Sequence, residues 1–185
     1  MSDGRRGAVS ALLVVAGLVM LAGVVVLAVR ALRSDDDTTL PTATADLTRA
    51  LAEAQLATAP FDGLTATRLS VGGHCLRTVI ADSTDERAAG LRQRSDLGGY
   101  DAMLFVFPGP TEVAFTMSTV PVPLEIGFYS GDGIRTSARH MRPCPESEAA
   151  CPLYRADGPF TYALETLASG LPAGNLAGNL AGCTE

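Results

Sequence analysis

The feature that most constrains the fold is a series of strand-like segments between residues 102 and 129. Six consecutive apolar residues at 102–107 end at a Pro-Gly-Pro triplet, which predicts a strand buried on both faces. In residues 112–117 large apolar side chains alternate with Glu112, Ala114 and Thr116, which is typical of a half-buried strand. Two prolines then predict an extended segment outside any central strand, and the alternation resumes over residues 124–128. We expect the rest of the domain to pack around these three strands.

Local signals on either side predict two hairpins, a helix and a further strand. Gly72-Gly73 separates two strand-like runs and is typical of a tight hairpin turn, in which both central residues need positive φ. Residues 130–133 predict a second hairpin turn. Ser83 and Glu86 form a capping box, which predicts a helix running to about Gln93. With a last strand over 160–167, the expected class is α+β, with a mostly antiparallel, barrel-like sheet and one or two short helices.

Composition removes several classes of protein. The chain has no Lys, since all 14 of its basic residues are Arg, so a Schiff-base lysine, a Ser-Lys dyad and a P-loop lysine are excluded. Beyond residue 33 there are 10 Arg against 19 acidic residues, a net charge of −9, which argues against nucleic acid as a partner.

Residues 7–29 form a run of 23 residues without a charge. As a helix this run would be roughly 34 Å long, enough to span a hydrocarbon core of about 30 Å. The alternative is a cleaved signal peptide, whose apolar region would be shorter and would precede a small-residue cleavage site. We therefore predict an N-terminal transmembrane helix and a membrane partner.

The basic residues around this segment do not set its orientation, because two Arg precede it and two follow it. All four Cys lie beyond it, which suits an oxidising compartment. The expected order is a cytoplasmic tail at 1–6, a transmembrane helix at 7–29, a linker at 30–64 and an extracytoplasmic domain at 65–185. The expected location is the cell membrane, as a single-pass protein with its main domain outside.

Four blocks of sequence resemble the family called domain of unknown function 192 (DUF192). The blocks are ADSTDERAAGLRQRSDL at 81–97, AMLFVF at 102–107, FTMSTVPVPLEIGF at 115–128 and YALE at 162–165. The resemblance implies a compact β-rich domain, often behind a signal or membrane segment, and no assigned chemistry. Its motif positions in this chain are Glu86, Arg87, Gly90, Leu91, Arg94, Met103, Leu104, Phe105, Phe115, Met117, Thr119, Leu124 and Glu125.

The chain also departs from the family pattern. Thr116 stands where the family has Trp, Ser118 stands in place of its Lys-Asn pair, Arg92 replaces a Met, and Glu125 replaces an Asp. If the replaced side chains line a ligand site in the family, this chain binds a different ligand or none.

The polar motif positions suggest a ligand site at Arg87, Arg94, Thr119 and Glu125. Arg87 and Arg94 are seven residues apart and share one helical face. A guanidinium presents a planar fork of donors, so this cluster would suit a small anionic or polyhydroxyl ligand. The alternative is an ion pair that ties the helix to the sheet.

The cysteines are expected to form two disulfides, Cys144 with Cys151 and Cys75 with Cys183, although only their spacing favours this one of three pairings. The competing interpretation is a Cu(I) site made of His140, Met141, Cys144 and Cys151, with Met117 as a further ligand. An oxidising compartment favours disulfides, and no pair of Cys or His has zinc-finger spacing. We therefore predict no metal and no cofactor.

Two functional hypotheses follow. The first is a small-ligand-binding or accessory domain of the cell envelope. The second is an envelope enzyme that uses paired carboxylates such as Glu125 and Asp82 on glycan or acyl substrates. The first is favoured, because the common hydrolase, zinc-protease and dinucleotide motifs are absent from the sequence. Copper handling is a distant third.

Overall fold

A computed structural model describes residues 43–144, 148–178 and 183. The apolar segment at 7–29 lies outside these residues, so the predicted transmembrane helix stays a prediction. No helix within the described part of the chain is long and apolar enough to cross a membrane.

The described residues form two short α-helices, one 3-10 turn and ten strands. The helices are α1 (Ala43–Ala52) and α2 (Thr84–Ala89), and the 3-10 turn is Glu148–Ala150. The strands are β1 (Gln55–Leu56), β2 (Thr65–Val71), β3 (His74–Ala81), β4 (Ala102–Thr111), β5 (Phe115–Thr116), β6 (Leu124–Tyr129), β7 (Arg135–Met141), β8 (Leu153–Tyr154), β9 (Phe160–Leu167) and β10 (Leu176–Ala177).

Eight strands form one sheet in the order β1-β2-β3-β4-β9-β6-β7, with β10 paired to β2. Strands β3 and β4 are parallel, and the other neighbours in the sheet are antiparallel. The predicted α+β class and mostly antiparallel sheet are confirmed. The order ends at β1 and β7, which do not pair among the described residues, so the expected barrel-like sheet is not closed there. Strands β5 and β8 form a separate ladder of two strands.

The local predictions hold at the hairpins and at the start of α2. Gly72 and Gly73 connect β2 to β3 with φ of +55° and +87°, as the turn requires. Ser83 caps α2, and both bonds of the capping box are present. The helix ends at Ala89 rather than near Gln93, because Gly90 takes a φ of +48° and stops the helical backbone.

Strand β4 is longer than expected and β5 is shorter. The prolines of β4 lie in an irregular stretch, between Val106 and Thr111, where its register with β9 shifts. A proline can enter the strand there because no regular ladder bond to β9 is required of it. The alternation over 112–117 yields only Phe115–Thr116 as strand.

Two hydrophobic clusters cover the two faces of the sheet, as the apolar run at 102–107 predicts. Met103 and Phe105 belong to one cluster, whereas Ala102 and Leu104 belong to the other. Helix α1 lies in the expected linker, yet its Leu47 is fully buried in the second cluster. The folded part of the chain therefore includes α1.

Both expected disulfides are present in the structure. One joins Cys144 to Cys151, and the other joins Cys75, near the start of β3, to Cys183 near the C-terminus. No described cysteine is free. All four cysteines are oxidised to disulfides, so none can supply the thiolate that the alternative copper site would need. The described residues contain no group of three or more His, Cys, Asp or Glu placed to hold a metal ion.

Candidate ligand-binding site

A buried acidic side chain, Glu165, lies in the middle of β9. This strand is central in the sheet, and Glu165 is paired with Met103 of β4 and Ile126 of β6. Its exposed fraction is only 4 %, and it has no hydrogen-bond or ion-pair partner among the described residues. Buried carboxyl groups are ordinarily paired or hydrogen-bonded, so this one requires an explanation.

The surroundings of Glu165 favour its protonated form. Burial raises the pKa of its carboxyl group from 4.5 to about 8, because the charged form would lose its hydration without gaining a partner. At pH 7 Glu165 is therefore mostly a neutral acid that can both donate and accept a hydrogen bond.

Glu165 lines a pocket of about 260 Å³ between α2, the turn after α2, β4 and β5. The rings of Phe105, Phe107 and Phe115 form its apolar walls. The charged residues that line it are Glu165, Arg87 and Arg92. The pocket therefore combines one neutral acid, two cations and aromatic walls.

The aromatic walls belong to a larger cluster around Phe115. Its ring lies edge-on to Phe105 with centroids 5.1 Å apart, and at 6.5 Å from that of Phe107. Phe128 and Phe160 contact the same ring from the core, at 5.8 Å and 6.2 Å. All of these contacts except the tilted one with Phe160 are edge-to-face, a packing that fixes ring orientations, so the core holds the walls of the pocket in place.

Helix α2 places Arg87 at the pocket. The Glu86 carboxylate accepts hydrogen bonds from the backbone N–H groups of Ser83 and Asp82, which fixes the first turn and lowers the pKa of Glu86. One turn of helix then directs the Arg87 side chain towards β4. The local sequence thus fixes the position of the cation.

The Arg87 guanidinium ties α2 to the sheet through carbonyl groups. Its Nη1 donates to the backbone oxygen of Val106 at 2.9 Å and to that of Asp82, and its Nη2 donates to Thr84 Oγ1 at 3.4 Å. The guanidinium carbon lies 5.1 Å from the centre of the Phe107 ring. No described carboxylate pairs with Arg87, so its positive charge is not neutralised.

The turn after α2 supplies the second cation. Arg92 donates from Nη1 to Ser118 O and from Nε to Ala88 O, both at 3.2 Å. Gly90 begins this turn, and a Cβ there would approach the Phe105 ring to 3.4 Å. A glycine therefore lets the turn lie close against the aromatic wall.

The structure does not bring the four predicted ligand-binding residues together, and Arg87 is the member of that set that lines this pocket. Arg94 donates to Pro60 O at 2.9 Å and lies over the Phe61 ring at 4.4 Å. The carbonyl of Thr119, whose φ is +61°, accepts a hydrogen bond from the Gln93 N–H at 2.9 Å.

Glu125 lies elsewhere, on β6. Its Oε2 accepts a hydrogen bond from the Leu171 N–H at 3.3 Å, and it lines a shallow site beside Arg135, Arg139 and His140 of β7. The predicted ion pair between the helix and Glu125 is therefore not formed. Arg87 joins the helix to the sheet instead, through the carbonyl of Val106.

Sequence reasoning missed Glu165 as a site residue, although it belongs to the YALE block at 162–165. The available signal was a single charged residue inside an otherwise uncharged, mostly apolar strand. Arg92 was noted as a departure from the family pattern, and the structure places it at the pocket.

Comparison with known proteins agrees with the motif resemblance. The family model of DUF192, described as uncharacterized ACR, matches residues 67–175. No curated protein matches the chain.

Two solved structures are similar to this chain. One is a protein of unknown function from Novosphingobium aromaticivorans, with 27 % identity, a TM-score of 0.56, and 67 % of this chain and 93 % of that chain covered. The other is a proposed transcription regulator from Sinorhizobium meliloti, with 26 % identity, a TM-score of 0.51, and coverages of 60 % and 90 %. The family model covers more than half of the chain, and this chain therefore belongs to the DUF192 family.

Proposed function

We propose that this protein binds a small organic anion in the pocket between α2 and the sheet. The observation that carries the proposal is the buried carboxyl group of Glu165, which has no partner among the described residues. It faces a pocket that also contains Arg87, with which no described carboxylate pairs. Polar groups left without partners at the base of a pocket are typical of a binding site rather than of a packed core.

The charges of the pocket favour an anion. No described carboxylate pairs with the cationic Arg87, and Glu165 is mostly neutral at pH 7, so Arg87 offers the pocket a positive charge. The guanidinium of Arg87 can offer its remaining N–H donors to a carboxylate oxygen. The three phenylalanine rings would contact the apolar part of the ligand.

The size of the pocket favours a small ligand. Its volume of about 260 Å³ falls just below the range of 300 to 1,000 Å³ that is typical of sites for drug-sized molecules. A ligand of only a few carbon atoms with one carboxylate would fit this space.

Binding is favoured over catalysis by paired carboxylates. Glu165 is the one carboxyl group among the residues that line the pocket, and the shallow site beside β7 contains Glu125 without Asp82. Acid and base catalysis at a glycosidic bond needs two carboxyl groups flanking the bond. No described pocket provides that arrangement around Glu165.

We further propose that the domain works on the outer side of the cell membrane, anchored by residues 7–29. Two disulfides support an oxidising compartment, and the uncharged run of 23 residues is long enough to span the membrane. In intact cells, the domain should be digested by an added protease that cannot cross the membrane. Protection of the domain in intact cells, with digestion only after lysis, would contradict this location.

Calorimetric titration of the purified full-length chain in detergent tests the binding site. We expect propionate to bind, and its neutral analogue propionamide to bind at least tenfold more weakly, because only the carboxylate can pair with Arg87. Arg87→Gln should weaken propionate binding by about tenfold or more.

Arg94→Gln is the matched control for this experiment. Arg94, like Arg87, donates to a backbone carbonyl and lies over a phenylalanine ring, but it does not line the pocket. Its replacement should leave propionate binding unchanged. Equal binding of propionate and propionamide, or equal loss in both variants, would show that the pocket is not an anion site.

A further inference from the structure

We infer that the ligand is a small hydroxycarboxylate, whose carboxylate contacts Arg87 and whose hydroxyl group forms hydrogen bonds with the carboxyl group of Glu165. This inference rests on the proposed anion-binding function and adds the chemical class of the ligand. It assigns to Glu165 the role of a specificity-determining residue that acts as a neutral acid.

The Arg87 guanidinium and the Glu165 carboxyl group are separated from each other in the pocket. Glu165 forms no ion pair with Arg87 or Arg92, so its carboxyl oxygens lie more than 4.0 Å from both guanidinium groups. The side chains of Arg87 and Glu165 nevertheless line one pocket. A ligand that satisfies both therefore needs two polar groups with a short carbon skeleton between them.

A ligand without a polar group opposite Glu165 would bind less tightly. A plain alkyl carboxylate would pair with Arg87 but would press its carbon chain against the buried carboxyl group of Glu165. That group would lose access to water without gaining a partner, which disfavours binding. A hydroxyl group at this position would form hydrogen bonds with the carboxyl group and so replace those that Glu165 loses with water.

A cationic group of the ligand is disfavoured beside Glu165. The charged residues facing Glu165 across the pocket are Arg87 from α2 and Arg92 from the following turn, whereas β4 and β5 contribute phenylalanines. On the sheet, the paired neighbours of Glu165 are Met103 and Ile126. An ammonium group would meet the positive charge of Arg87 and a mostly neutral acid, so a hydroxyl group is preferred.

Protonation of Glu165 then controls binding. Ionisation of the carboxyl group removes its hydrogen-bond donor and places a negative charge beside an anionic ligand. Affinity for a hydroxycarboxylate should therefore be constant at low pH and decrease as the pH rises through about 8, the pKa of Glu165. If only the protonated form binds, affinity falls by about thirtyfold between pH 6.5 and pH 9.5.

The experiment compares propionate, lactate and alanine, which differ only in the hydrogen, hydroxyl or ammonium group on the second carbon atom. Titrations of the full-length chain in detergent are run at pH 6.5 and at pH 9.5. At pH 6.5 we expect lactate to bind about tenfold more tightly than propionate, and alanine to bind more weakly than propionate. Lactate affinity should fall by about thirtyfold at pH 9.5.

Two variants assign the pH dependence to Glu165. Glu165→Gln keeps a donor and an acceptor without a titrating proton, so it should still bind lactate and should lose the change between the two pH values. Glu125→Gln is the matched control, because Glu125 lies on the neighbouring strand β6 and outside the pocket. It should keep the pH dependence of the unmodified chain.

The outcomes distinguish failure of the hydroxycarboxylate inference from failure of the proposed anion-binding function. Equal affinities for lactate and propionate, with both dependent on Arg87, would overturn the hydroxycarboxylate inference and leave anion binding intact. Tighter binding of alanine, or a pH dependence that persists in Glu165→Gln, would also overturn the inference. If neither anion binds at either pH, the proposed anion-binding function itself is wrong.

Discussion

The pKa of Glu165 lies near 8 in the folded chain, whereas a Glu in an unfolded chain titrates near its ordinary value of 4.5. Between these values the folded state binds one more proton than the unfolded state. The contribution of Glu165 to the free energy of unfolding should therefore be greatest below pH 4.5, decrease as the pH rises to about 8, and level off above it. From pH 5 to pH 8 the contribution of Glu165 to this decrease is about 3 kcal/mol.

Glu165→Gln removes this contribution, because a glutamine side chain does not titrate. We expect urea unfolding to show that the variant gains about 3 kcal/mol over the unmodified chain between pH 5 and pH 8. Glu125→Gln is the control, because it keeps the Glu165 carboxyl group and should therefore keep the decrease that Glu165 causes. Parallel pH curves for the unmodified chain and Glu165→Gln would mean that Glu165 titrates near its ordinary value.

Single residues show where prediction from sequence stops. The motif positions singled out Arg87, which lines the pocket, because its place one residue after the capping glutamate is a local property. Glu165 was missed because its burial comes from strands paired on both sides, Met103 in β4 and Ile126 in β6, which are distant in sequence. The position of Glu125 apart from the helix arginines was not predicted for the same reason, since its partner Leu171 lies in a distant loop.

At the level of elements, α2 carries one wall of the pocket, and its capping box determines how firmly that wall is held. Ser83 Oγ accepts a hydrogen bond from the Glu86 N–H at 3.2 Å. Ser83→Ala should lower the free energy of unfolding by about 1 kcal/mol, because it leaves a helix N–H group without its partner. Thermal unfolding measures the effect.

Ser95→Ala provides the control for this prediction. Ser95 is exposed in the turn after α2 and has no hydrogen-bond partner among the described residues. Its replacement should change the free energy of unfolding by no more than about 0.5 kcal/mol. Equal effects of the two substitutions would mean that the capping box does not stabilise the fold measurably.

Elements defined by local signals were predicted, and the order of the strands was not. The turn at Gly72-Gly73 and the cap of α2 depend on backbone conformations that particular residues favour. The parallel pairing of β3 with β4 needs the whole crossover of residues 82–101, including α2, and no local pattern encodes it. The hydrogen-bonded pairing of β9 between β4 and β6 is likewise long-range.

At the level of the whole molecule, several contacts join the C-terminal segment to both hairpins. Strand β10 pairs with β2, and the Leu176 N–H donates to Gly133 O in the β6–β7 turn at 2.8 Å. The disulfide between Cys75 and Cys183 adds a covalent link across a sequence separation of 108 residues. The sequence predicted this pairing only by assigning the two nearby cysteines to each other first.

The two disulfides should differ in their contribution to stability, because the loops they close differ in length. On the chain-entropy model, a loop of about 100 residues is worth about 4.7 kcal/mol, and one of about eight residues about 2.5 kcal/mol. The separations here are 108 and 7 residues. Replacing Cys75 and Cys183 together by Ala should therefore destabilise the chain by about 2 kcal/mol more than replacing Cys144 and Cys151.

Urea unfolding of the two double variants, produced in an oxidising compartment, measures this difference. Intact mass after alkylation under denaturing conditions serves as the control, because each variant should keep its remaining disulfide and add no alkyl group. The reverse order of stability would indicate that Cys144–Cys151 contributes chiefly through packing around Val120, whose carbonyl accepts a hydrogen bond from the Cys144 N–H. The expected order would instead show that the C-terminal link stabilises the fold by restricting the unfolded chain, independently of the pocket that Glu165 lines on the sheet.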